Sequence, residues 1–290
     1  MPSTLHLTRR DALAGGAVAG LLGTAGCLDR VRDRLHPRTY HSDAVLGDPL
    51  EPWPTLGHDA RHTGAREAPT ELPAEPTVER VGDGGGAFYE EPPAIGEEAV
   101  YSALSDQHNG EYGRAFVATE RGGDERWRLE WPESKSPAPP TVHGETAFLT
   151  RAGTTVAVDR RTGKRRWSYA AGIAPAAPTV VDETVYVIAD RGGTLYALEA
   201  ATGAEQFRTD LGAAVDHRPA VGGDAVYVLG YDDGYALYVV DAAGGDVRRT
   251  VPLGNPETPS VDTNNGVSLA GDAVYLTGVR DGRPGVFRVA

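Results

Sequence analysis

Four times between residues 93 and 227 the chain repeats one short pattern, at a spacing of about 40 residues. Pro93-Ala94-Ile95, Pro140-Thr141-Val142, Pro178-Thr179-Val180 and Pro219-Ala220-Val221 each lead through a small or charged turn to an apolar pair. The pairs are Val100-Tyr101, Ala147-Phe148, Val185-Tyr186 and Val226-Tyr227, and the second member always lies eight residues past the proline. So short and constant an offset describes a strand, a tight hairpin and a second strand. A Gly/Asp turn such as Asp190-Arg191-Gly192-Gly193 then leads to a third alternating strand, Thr194 to Leu198. One such unit cannot bury its own apolar face, so successive copies must stack.

The link from third to fourth strand carries the sharpest pattern. Residues Ala157 to Trp167 read A-x-D-x-x-T-G-x-x-x-W, with Ala157, Asp159, Thr162, Gly163 and Trp167 in the fixed positions. The next copy keeps Ala197, Thr202 and Gly203 but has Glu199 and Phe207. Val117 to Trp127 and Val239 to Arg249 are weaker copies, the first retaining Gly123 and Trp127, the second Gly245. Asp and Thr side chains bond nearby backbone amides, glycine accepts a positive φ, and an aromatic four residues later packs on a neighbouring copy.

This motif resembles the tryptophan-docking repeat of the PQQ-like β-propeller family, which includes quinoprotein dehydrogenases and outer-membrane assembly lipoproteins. Trp53-Pro54 to Gly57, with Asp59, Thr63 and Gly64, is similar to the lead-in segment before the first blade of such proteins. The resemblance implies an all-β fold over residues 53–290, a β-propeller of four-stranded antiparallel blades. Aligning Ala273-Val274-Tyr275 with the earlier pairs adds a fifth copy, with Val267 to Leu269 as its first strand and Val286 to Ala290 as its third. Thr77 to Val81 resembles the fourth strands Arg166 to Ala170 and Gln206 to Asp210, and is expected to complete that blade. Five blades closed from both ends would leave no open edge; an open arc or an oligomeric ring is the alternative.

The composition agrees with many turns, with 37 Gly and 21 Pro against one Met and one Cys. A single cysteine forms no intrachain disulfide and no cysteine-based metal cluster. With 41 acidic against 28 basic residues the formal charge is −13, which argues against a nucleic-acid partner. Lys135 and Lys164 are the only lysines. Strong acidity with so little lysine resembles the proteins of salt-loving archaea, or else an ordinary acidic secreted protein.

The first 52 residues read as an address and a tether. Arg9-Arg10 precedes an uncharged, mildly apolar stretch from Ala12 to Gly26, the order of a Tat export signal over residues 1–26. Thr24-Ala25-Gly26-Cys27 resembles a lipobox, and cleavage before Cys27 would leave its thiol for lipid attachment. Residues 27–52 alternate charge, proline and glycine without periodicity, as a flexible tether does. The expected location is the outer face of the cytoplasmic membrane, held there through the lipid anchor alone.

The resemblance would imply a catalytic aspartate, a calcium site, a stacking tryptophan and often two adjacent cysteines for a quinone enzyme. The cysteine pair is absent and no segment carries the remainder recognisably, so no cofactor is expected. His58 and His62 have a metal-ligand spacing if helical, but their flanks read as an irregular loop. Asp232-Asp233-Gly234 and Asp281-Gly282 suggest calcium less than turn chemistry, and no metal is expected. No G-x-S-x-G or S-x-x-K supplies a nucleophile. Two insertions, Ser105 to Gly113 and Asn255 to Asn265, fall on one face of a propeller and form either a binding rim or neutral loop drift. The expectation is a noncatalytic scaffold that binds a protein partner or a glycan. The competing class is an exported enzyme, a divergent quinoprotein oxidoreductase or a carbohydrate-active protein.

Overall fold

The computed structural model describes residues 59–62, 88–89, 91–108, 111–131, 137–151, 153–173, 176–189, 193–215, 217–253, 266–280 and 283–289. Their regular structure is entirely β, in five antiparallel sheets that follow one another along the chain. The first sheet holds β1 (Phe88–Tyr89), β2 (Ala94–Ile95), β3 (Ala99–His108), β4 (Glu111–Glu120) and β5 (Glu125–Trp131), with β1 and β2 sharing the pairing to β3. The second holds β6 (Thr141–His143), β7 (Thr146–Arg151), β8 (Gly153–Asp159) and β9 (Arg165–Ile173). The third is β10 (Thr179–Val181), β11 (Thr184–Ile188), β12 (Thr194–Glu199) and β13 (Glu205–Asp210). The fourth is β14 (Ala220–Gly222), β15 (Ala225–Tyr231), β16 (Tyr235–Asp241) and β17 (Val247–Pro252). The fifth contains β18 (Ser268–Ala270), β19 (Ala273–Arg280) and β20 (Arg283–Val289). These are the blades of a β-propeller, and the inner strands β2, β6, β10, β14 and β18 contact one another in succession.

The sequence repeat is a register. Ala94 faces Tyr101, Thr141 faces Phe148, Thr179 faces Tyr186, Ala220 faces Tyr227 and Ser268 faces Tyr275. In the second to fifth blades a two-residue loop joins the first two strands, and its first residue has a positive φ: Gly144, Asp182, Gly223 and Gly271. That twist matches a two-residue hairpin, and Asp182 shows that aspartate also tolerates it.

Polarity grades outward along each blade. The second strand β11 is buried at four of its five residues because blades cover both faces, whereas β13, the outermost, is mainly exposed. Apolar runs therefore suit second strands and alternation suits the rim. Buried Thr141 and Thr179 also join blades at the centre, donating from Oγ1 to the carbonyls of Pro178 and Pro219 at 2.8 and 2.6 Å.

Two sequence expectations change in detail. The insertion Ser105 to Gly113 mostly lengthens β3 and β4, which stay paired as far as His108 and Glu111, so it is a longer hairpin more than a loose loop. In the first motif copy Trp127 pairs with Ala118, not Val117, so its turn is one residue shorter than those of the later copies. The closing strand expected at Thr77 to Val81 and the insertion Asn255 to Asn265 lie outside the described residues, as do Arg9, Arg10, Cys27, Trp53 and His58.

Candidate functional site

The motif residues build the junctions between blades. A bulge recurs in the third strand, between Ala118 and Thr119, Ala157 and Val158, Ala197 and Leu198, and Val239 and Val240. After it, Asp159 Oδ1 accepts from the N–H groups of Arg161 and Thr162 and from the Thr162 hydroxyl, while Asp241 Oδ1 accepts from Ala243 and Gly244. Thr202 donates likewise to Glu199. The second carboxylate oxygen then holds an arginine seven residues on, Arg166 at 2.8 Å from Asp159 and Arg248 on Asp241. The Arg166 guanidinium, aided by the Thr162 donors, holds the Asp159 carboxyl down at about 2.

The turn formed this way ends on glycine for a reason beyond its positive φ. A Cβ on Gly163 would lie 2.9 Å from the Trp127 ring, one on Gly203 2.7 Å from Trp167, and one on Gly245 2.4 Å from Phe207. Each glycine is the floor on which the previous blade's aromatic rests. The indole Nε1 of Trp127 donates to the Arg160 carbonyl, and that of Trp167 to the Ala200 carbonyl, both at 2.8 Å. Phe207 has no donor, and at its junction the Tyr186 hydroxyl reaches the matching Ala242 carbonyl at 3.1 Å.

The fourth junction differs. Arg249 stands in the ring position and is exposed, and Val239 replaces the alanine of the earlier copies. A cleft of about 440 Å³ opens there between the fourth and fifth blades. Tyr227, Val251, Leu269 and Val274 supply apolar wall, and Arg61 and Arg249 line it together with Asp224 and Asp272.

Arg61 arrives on a clip formed by Asp59 to His62. Asp59 Oδ1 accepts from the Arg61 N–H at 3.0 Å, closing a turn. The Ala60 carbonyl accepts from Val221 of the fourth blade and the Arg61 carbonyl from Leu269 of the fifth. His62 Nδ1 lies 2.9 Å from the Val267 carbonyl and therefore carries the proton, leaving Nε2 buried without a partner. Burial, assisted by the Arg218 charge, pushes the His62 imidazole well below its usual value. The histidine is thus a neutral structural plug in an irregular turn.

The sequence motif collects Ala157, Asp159, Thr162, Gly163 and Trp167, and likewise Ala197, Thr202, Gly203 and Phe207, at successive junctions; Gly123 and Trp127 belong to the first blade's copy. Sequence reasoning passed over Arg61 and Arg249. The signal for Arg249 was present as the one copy whose aromatic position holds a cation.

A family model described as outer membrane protein assembly factor BamB matches residues 112–192 and 172–283, together well over half of the chain. No curated protein matches it in sequence. Among solved structures, the quinohemoprotein alcohol dehydrogenase ADHIIG from Pseudomonas putida HK5 is similar at 12% identity and TM-score 0.54, over 83% of this chain and 45% of its own. The quinohemoprotein alcohol dehydrogenase from Comamonas testosteroni is similar at 12% identity and TM-score 0.53, over 82% of this chain and 49% of its own. BamB from Moraxella catarrhalis is 15% identical with TM-score 0.40, over 65% of this chain and 72% of its own. The chain thus spans about half the length of the two dehydrogenases.

Neither tryptophan whose side chain is described fits the stacking role that a quinone cofactor of that kind would need. The indoles of Trp127 and Trp167 are seated on glycine turns with their donors engaged, so neither offers a face for stacking. Among the described residues, no three His, Cys, Asp or Glu side chains gather as a metal site would require.

Proposed function

The chain belongs to the PQQ-like β-propeller family, and from that premise we propose that it is an exported, lipid-anchored, noncatalytic scaffold that binds a protein partner at the outer face of the cytoplasmic membrane. The observation that carries the noncatalytic part is the employment of the polar motif groups. Asp159, Thr162, Trp127, Trp167 and Asp241 are engaged in turns and blade junctions, where catalysis would need them free. The family model's description as an assembly factor supports a partner-binding role over an enzymatic one. Export rests on Arg9-Arg10 and anchoring on Cys27, in the order and spacing set out above.

Crosslinking in intact cells at high salt, followed by identification of what copurifies, tests the scaffold. One reproducible polypeptide partner supports it, whereas a quinone chromophore with dye-linked dehydrogenase activity overturns it. Anchoring is tested separately: Cys27→Ser should release a folded protein from membranes, and unchanged retention would contradict the lipid anchor.

A further inference from the structure

We propose that the cleft between the fourth and fifth blades is a binding site for an apolar carboxylate, carried either by a free small acid or by the last residue of a polypeptide. This goes beyond the scaffold reading and stands or falls independently of it.

The first ground is shape. At the three preceding junctions the corresponding space receives a ring, from Trp127, Trp167 or Phe207. At the fourth, Arg249 stands in the ring position and no ring takes its place among the described residues, and the cleft of about 440 Å³ lies within the roughly 300–1,000 Å³ typical of small-ligand sites. Tyr227 and Val274 on facing blades offer apolar wall to a ring or a branched aliphatic chain.

The second ground is charge. Four charged side chains line the cleft, and each of the two carboxylates has an arginine partner. Asp224 reaches Arg248, which it shares with Asp241, at 2.9 Å, and Asp272 reaches Arg288 at 3.2 Å. The guanidinium groups of Arg61 and Arg249 have no ion-pair partner among the described residues. Two unmatched guanidinium groups at an apolar recess select an anion, and their planar forks suit a carboxylate. That choice is notable in a chain whose formal charge is −13.

The third ground is rigidity. Arg61 is held by the clip to both blades, through Ala60 to Val221 and through its own carbonyl to Leu269. Its stem runs beside Gly222, where a Cβ would lie 2.7 Å from Leu269 Cδ1. A ligand therefore meets a cation whose backbone is fixed to both walls of the cleft.

The test uses the full chain purified from membranes in an uncharged detergent, with binding followed by calorimetry and by ligand-observed NMR. The probes are 3-phenylpropionate, its neutral amide, and a short peptide ending in phenylalanine with a free or an amidated C-terminus. An acid should bind at least about tenfold more tightly than its amide, and Arg61→Gln and Arg249→Gln should each remove most of that preference while leaving thermal stability nearly unchanged. Rising salt should weaken the acid and spare the amide. Tighter binding of the free-ended peptide than of phenylpropionate identifies a polypeptide terminus as the source, and the reverse order identifies a small acid. Equal binding of acid and amide, an acid preference that survives both substitutions, or no binding of any probe at millimolar concentration overturns the proposal.

Discussion

Trp167→Phe probes the junction chemistry most sharply, because the protein contains its own control. The change removes the donor to the Ala200 carbonyl, held at 2.8 Å, and reduces a ring that is only 8% exposed. Loss of that hydrogen bond costs about 1–2 kcal/mol and the missing ring volume about 1 kcal/mol more. A total of roughly 2–3 kcal/mol should lower Tm by roughly 4–12 °C for a domain of this size. The third junction works with phenylalanine because the Tyr186 hydroxyl supplies the bond to Ala242. Phe148 occupies the position of Tyr186 at the second junction, with its ring centroid 5.9 Å from that of Trp167. Phe148→Tyr added to Trp167→Phe should therefore recover about 1 kcal/mol, while in the wild type it should gain less, because beside an indole the hydroxyl makes only a long bond, as Tyr101 does to the Arg160 carbonyl at 3.4 Å next to Trp127 at 2.8 Å. Thermal melts of the four proteins at one fixed salt concentration give the coupling directly. Equal effects of Phe148→Tyr in both backgrounds would refute the idea that these carbonyls are the docking points.

Gly203→Ala should be far costlier than Gly212→Ala. Both have positive φ, but only at Gly203 would the new Cβ strike a ring, so denaturant midpoints should separate the two by about 2 kcal/mol or more, and equal losses would contradict the floor role of Gly203. His62 is neutral and buried, with its native pKa well below the ordinary value, so the unfolded chain binds a proton that the native protein refuses. Stability should be flat above about pH 7 and fall as pH drops below about 6.5. His62→Gln should flatten that decline, and an unchanged slope between pH 7 and pH 5 would show that the clip does not carry it.

The repeat made most of the fold legible, because a fixed offset from proline to aromatic, kept in four copies and from Val267 to Tyr275 in the fifth, is a strand register. The turn motif was legible for the same reason, since Asp159, Thr162 and Gly163 act within a few residues of one another. What escaped was contact between copies. Thr141 and Thr179 bond to prolines of the next blade, a partnership some 40 residues away that no local pattern announces. The one-residue shorter turn before Trp127 was hidden because Val117 keeps the apolar character of the motif, while Ala118 makes the pairing. The cleft was partly visible, as a cation at Arg249 in an aromatic column. Arg61 was not, because its place depends on a clip whose two partners, Val221 and Leu269, lie far along the chain.

The central claim, a scaffold with a protein partner, is tested most directly by the mass of the particle extracted from native membranes. Light scattering during gel filtration at the salt concentration of growth, with the absorbance spectrum recorded alongside, reads both alternatives at once. The account predicts a particle heavier than the chain by a second, different polypeptide, with no quinone band. A particle of one chain that carries a quinone chromophore would contradict it.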